Sequence, residues 1–180
     1  PKVAGRLEKL LVNIGDPVKR GQLIAVLDDE EYAQQVEQAR AELEVAKANV
    51  LESRSTLDMA QREFERAKAL RQKKIASESE LDAAEAQSKT QEAKHKVALA
   101  QVAQKEAALK ATQVRLSYTK IRAWWENTNE SRIVGERFVD EGAMLKANDP
   151  IVSVLDIHSL IGVIHVIERD YSDVVVGQEA

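Results

Sequence analysis

The sequence predicts an elongated α+β protein in which a long antiparallel helical hairpin is inserted into a small, split β-domain. Three observations carry that expectation. Val36, Leu43, Val50, Leu57 and Phe64 recur every seven residues, and Ala39, Ala46, Ser53, Ala60 and Ala67 follow each of them by three, an unbroken heptad. A segment before the heptads and another near the far end repeat each other at a constant offset of 127 residues. Of 180 residues, 31% are charged and only 4% aromatic, which suits long solvated helices rather than one large core.

In chain order, residues 1–28 read as the first half of the β-domain. Val3 to Val12 and Leu23 to Leu27 have strand character, separated by turns at Gly15-Asp16-Pro17 and Lys19-Arg20-Gly21-Gln22. Pro17 presets a turn-compatible φ, while Gly15 and Gly21 admit positive φ. Residues 119–156 read as the second half. There Gly142, Leu145, Lys146, Ile151 and Val154 answer Gly15, Val18, Lys19, Ile24 and Leu27, and Asn148 stands where Gly21 did. Neither copy is large enough to bury its apolar face alone. The two are expected to pair, which brings both ends of the hairpin to one place.

Residues 29–118 form the hairpin, with its tip near 70–77. Large and small residues alternate along the first heptad seam, so a second helix can approach closely. Residues 77–118 supply it, and the periodicity suggests Ala83, Ala86, Thr90, Ala93, Val97, Ala100, Gln104, Ala107, Ala111, Val114 and Tyr118 as its inner face. A second stripe, His95, Leu99, Val102, Leu109 and Leu116, falls roughly opposite, and one partner helix cannot cover both faces. On this reading either the helix rotates around its partner or the second stripe packs against neighbouring subunits. At the tip, Arg66 and Leu70 share one helix face. Ser77-Glu78-Ser79-Glu80 has the form of a capping box and marks a helix start.

Several function classes are disfavoured. A net charge of −4 with interspersed lysines and acids offers no basic patch for nucleic acid. The absence of cysteine excludes disulfides, thiolate metal sites and cysteine nucleophiles. His95, His158 and His165 are scattered without ligand spacing, no glycine-rich phosphate loop is present, and no nucleophile has a base beside it. No catalytic, cofactor-binding or metal-ligating residue is therefore expected. Apolar runs such as Ile161 to Ile167 are far short of the roughly 20 residues that span a bilayer.

The paired motifs from Gly5-Arg6-Leu7 through Leu27-Asp28, and from Glu141-Gly142 to Leu155-Asp156, resemble the two halves of the lipoyl and biotinyl carrier fold. The carrier lysine has no counterpart, because the hairpin begins where it would stand. A split lipoyl-like domain interrupted by a helical hairpin resembles the periplasmic adaptors, or membrane fusion proteins, of tripartite efflux pumps. Residues 157–180, from Leu160 to Gly177-Gln178, resemble the start of that family's β-barrel domain. The spacing Arg66-x3-Leu70-x6-Ser77 matches the tip motif with which such adaptors engage TolC-like outer-membrane channels.

The resemblance implies a periplasmic subunit anchored to the inner membrane by a preceding segment. Its partners would be an inner-membrane transporter of RND or ABC type, the outer-membrane channel, and further copies of itself as a hexamer or trimer of dimers. Where the family usually continues with a proline and then a glycine, this chain has Trp124 to Ser131. Asn127 is the residue there that tolerates positive φ, and the two tryptophans are expected to cap the core or meet an adjoining domain. The alternative is a non-transport coiled-coil scaffold with a lipoyl-like dimerisation head.

Overall fold

The computed structural model describes residues 1–126, 131–157, His165 and Gly177. Seven strands and two helices follow in the order β1 (Gly5–Leu10), β2 (Pro17–Val18), β3 (Leu23–Leu27), α1 (Glu30–Gln72), α2 (Glu78–Ser117), β4 (Lys120–Arg122), β5 (Arg132–Arg137), β6 (Met144–Leu145) and β7 (Val152–Leu155). The strands form two antiparallel sheets, ordered β4-β3-β1-β6 and β2-β5-β7.

The repeat reappears as a pseudo-twofold arrangement in which each half lends its short strand to the other half's sheet. Gly5 and Arg6 pair with Leu145 and Met144, and Arg132 and Ile133 pair in the same way with Val18 and Pro17. The exchanged backbone bonds match as well. Leu7 N–H donates to Ala143 O at 2.9 Å, and Val134 N–H to Asp16 O at 3.0 Å. At the turns Gly15, Gly21 and Gly142 take φ of 89°, 83° and 88°, and Asn148 takes 72° where the first copy has Gly21. The residue types therefore follow the backbone each turn requires.

Between the sheets lies one apolar cluster that includes Leu7, Val12, Val18, Leu27, Val134, Leu145 and Ile151. Burial of each leucine or valine contributes about 1.5–3 kcal/mol. Trp125 joins this cluster at 5% exposure with the Arg132 guanidinium over its ring, whereas Trp124 stays 67% exposed under Arg20. One tryptophan thus caps the core and the other does not. Asn127, His158 and the expected opening of a β-barrel at 160–178 lie outside the described residues, apart from His165 and Gly177.

Helix α1 runs 43 residues, about 64 Å at 1.5 Å per residue. Its expected seam is the one observed: Val36, Leu43, Ala46, Leu57 and Ala67 are buried. The expected inner face of α2 is corrected. Ala83, Ala86, Thr90, Ala93, Val97, Ala100, Gln104, Ala107, Ala111 and Val114 are all exposed. The face turned to α1 carries Leu81, Ala84, Ser88, Gln91, His95, Ala98, Val102, Lys105, Leu109, Thr112 and Leu116. His95, Val102, Leu109 and Leu116 of the second stripe thus belong to the seam, and Leu99 alone of that stripe is exposed.

Polar partners explain why α2 faces this way. Lys105 Nζ meets Glu42 Oε2 at 2.7 Å, and Ser53 Oγ lies 3.0 Å from His95 Nδ1. The one hydroxyl hydrogen of Ser53 goes to the Val50 carbonyl at 2.9 Å, so the ring N–H of His95 is the donor in that contact.

Candidate functional site: the hairpin tip

Arg66, Leu70 and Ser77 all fall at the end of the hairpin remote from the β-domain, in the last turns of α1 and the first residue of the return. The chain reverses here through a Schellman closure. Lys73 is the C-cap, Lys74 takes φ of 58°, its N–H donates to Arg71 O at 2.9 Å, and Ile75 N–H donates to Leu70 O at 2.9 Å. Two otherwise orphaned carbonyls of the helix end are thereby satisfied.

Ser77 then starts α2. Its Oγ accepts from Glu80 N–H at 3.2 Å and donates to Glu80 Oε2 at 2.9 Å, while its own N–H donates to Glu80 Oε2 at 2.7 Å. This is the expected capping box, closed in both directions. The bonds from Ser77, first from its backbone N–H and then from its hydroxyl, hold the Glu80 carboxyl below its ordinary value. The Ser77 hydroxyl is thus engaged in shaping the turn. Arg71 Nη2 lies 3.5 Å from Glu78 Oε2 across the same turn.

The other two side chains face outward to different degrees. Arg66 is exposed and lies 3.1 Å from Glu63 one turn earlier, a pair that solvent screens. Leu70 is 37% exposed and Ile75 70% exposed. Both line a shallow groove with Ala67, Ala76, Ala83 and Glu80. Chemically the tip offers an apolar patch with a guanidinium on the same helix face as Leu70. Ile75 is the residue sequence reasoning missed. Its signal was an apolar side chain five residues after Leu70, the C3 to C″ pair that accompanies a Schellman end.

Comparison with known proteins bears on what this hairpin is. The family described as "RND MFP, alpha-helical hairpin domain" matches residues 35–119. The chain is 34% identical over 122 residues to the macrolide export protein MacA of Yersinia pestis, covering 68% of this chain and 33% of that protein. Its structure superposes on that of MacA from Actinobacillus actinomycetemcomitans with a TM-score of 0.79 at 26% identity, covering 87% of this chain and 48% of that one. The chain belongs to the membrane fusion protein family of periplasmic adaptors.

A second relative fits the same family. This adaptor chain is 28% identical over 182 residues to the cobalt-zinc-cadmium resistance protein CzcB of Cupriavidus metallidurans, covering 100% of this chain and 31% of that protein. The adaptor chain thus spans about a third of the length of the curated relatives it matches. Among its described residues no helix is long and apolar enough to cross a membrane, and no group of His, Cys, Asp or Glu is placed to hold a metal ion.

Proposed function

We propose that this chain is the hairpin and lipoyl-like portion of a non-catalytic periplasmic adaptor that couples an inner-membrane efflux transporter, of RND or ABC type, to a TolC-like outer-membrane channel. In that assignment 1–28 and 119–156 are the halves of the lipoyl-like domain, 29–118 the hairpin, and 157–180 the start of a β-barrel domain. The relatives are named for macrolide export and for metal resistance, so the shared element is transport rather than one cargo.

The observation that carries the reading is the tip: a rod more than 40 residues long ends in a rigidly capped turn that exposes Leu70, Ile75 and Arg66. Leu70 serves as the apolar anchor, Arg66 as a fork of donors for carbonyls or carboxylates of the channel, and Ser77 as the residue that shapes the turn. Further copies, as a hexamer or trimer of dimers, pack along the exposed flank of α2 that carries Leu99 and Val114.

The test substitutes Leu70→Asp and Arg66→Glu separately in the complete adaptor and measures export together with far-UV circular dichroism. Loss of export at unchanged helix content is expected for both. Export that survives both substitutions would refute channel docking by this tip. Crosslinking between cysteines at Leu99 and Val114 of different copies tests the ring, and a monomeric mass without crosslinks would refute it.

A further inference from the structure

The hairpin is joined to the β-domain by two chain crossings, at Asp28 to Glu30 and at Tyr118 to Lys120. They lie side by side, because Leu27 N–H donates to Thr119 O at 2.9 Å. Two adjacent crossings hold a hairpin in position but act as a hinge line, about which it can rock. A contact from some other part of the chain is needed to choose one angle.

Residues 2–4, which precede β1 and belong to neither crossing, make that contact. They form one wall of a surface groove whose other walls are Tyr32 and Gln35 of α1, Arg115 of α2 and Tyr118. The Tyr32 hydroxyl, in the first turn of α1, donates to the Ala4 carbonyl at 2.8 Å. Lys2 Nζ stands 4.8 Å from the centroid of the Tyr118 ring, at the C-cap of α2. One tyrosine from the base of each helix thus holds the same short segment. Neither Tyr32 nor Tyr118 is part of the buried apolar cluster between the sheets.

We propose that residues 2–4 act as a strap that sets the tilt of the hairpin on the β-domain, with Tyr32 and Tyr118 as its two fastening points. Val3 packs against the apolar cluster of the β-domain, whereas the strap meets the hairpin through one hydrogen bond and one cation–π contact, both at the surface, so it biases a population of angles and does not lock one. This inference does not depend on what the tip meets.

The chain contains no cysteine, so Lys9→Cys on β1 and Met59→Cys on α1, both exposed, supply the two attachment points for spin labels. Pulsed electron paramagnetic resonance on the full chain then reads the distance distribution between β-domain and hairpin. Tyr32→Phe removes the hydroxyl but keeps the ring, so the base packing survives. Adding Lys2→Ala releases the second fastening. The expected result is a stepwise broadening, about twofold in the double variant, as rocking is freed, with circular dichroism unchanged. A distribution in the double variant that matches the parent in mean and width overturns the proposal.

Discussion

Lys74 occupies a left-handed position, φ 58°, that the Schellman closure of α1 requires and that a residue with a Cβ adopts at a cost. Lys74→Gly should therefore stabilise the hairpin end by about 0.5 kcal/mol, the relieved strain less the glycine's larger unfolded-state entropy, read as a higher thermal midpoint. Three residues on, Ser77→Ala should cost about 1 kcal/mol by removing the N-cap. The same cap makes the tip sensitive to acid. Glu80 is held below its ordinary value by Ser77, so its contribution is fully present above the unfolded-state value and is lost as pH falls through the lower folded one. Amide exchange at Ser77 and Glu80 should quicken, relative to mid-helix amides, as the solution is acidified below the ordinary carboxylate range. Exchange that keeps pace with mid-helix amides would exclude the linkage. The capping box was legible in four letters, Ser77 to Glu80, because its geometry is local. Lys74 was not, since the sequence carries no glycine to announce a left-handed residue there.

At the scale of the helices, the contrast between α1 and α2 shows what periodicity can and cannot decide. In α1 large apolar residues recur at one heptad position with mostly small ones three residues on, so the large residues mark one inner face. Helix α2 offers two candidate faces. One consists mostly of small residues, including Ala83, Ala93 and Ala107, and the other is interrupted by Ser88, Gln91, His95, Lys105 and Thr112. Apolarity favours the first and the structure uses the second, because two of its polar members find partners on α1. Such partners are separated by 42 and 63 residues in the chain, and no local pattern exposes them. The prediction at this scale is a coupling. Ser53→Ala and His95→Ala, made singly and together, should give a double-mutant interaction energy of about 0.5–1.5 kcal/mol in thermal or denaturant unfolding. Additive effects would mean that the pair does not select the face.

For the molecule as a whole, the division of labour between its two parts follows from where the apolar residues lie. Among the described residues, the cluster between the sheets draws on both halves of the repeat and on Ala123 and Trp125, and on no residue of α1 or α2. The repeat was visible in sequence because each turn needs the same residue types twice, and pairing of the halves followed from their size. The exchange of β2 and β6 between sheets was not visible, since strands of two residues have no periodicity to read. The hairpin accordingly behaves as an insertion between Asp28 and Thr119, points already joined across β3 by the bond from Leu27 N–H to Thr119 O. Excising residues 30–117 and bridging the gap with a short Asn-Gly turn should therefore leave a β-domain that still unfolds cooperatively. A domain of this size is of marginal stability, so a lowered thermal midpoint is expected alongside retained amide dispersion in a nitrogen–proton correlation spectrum. Collapse of that dispersion would mean that the hairpin base, with Tyr32 and Tyr118 on residues 2–4, is part of what folds the β-domain and not merely what is carried by it.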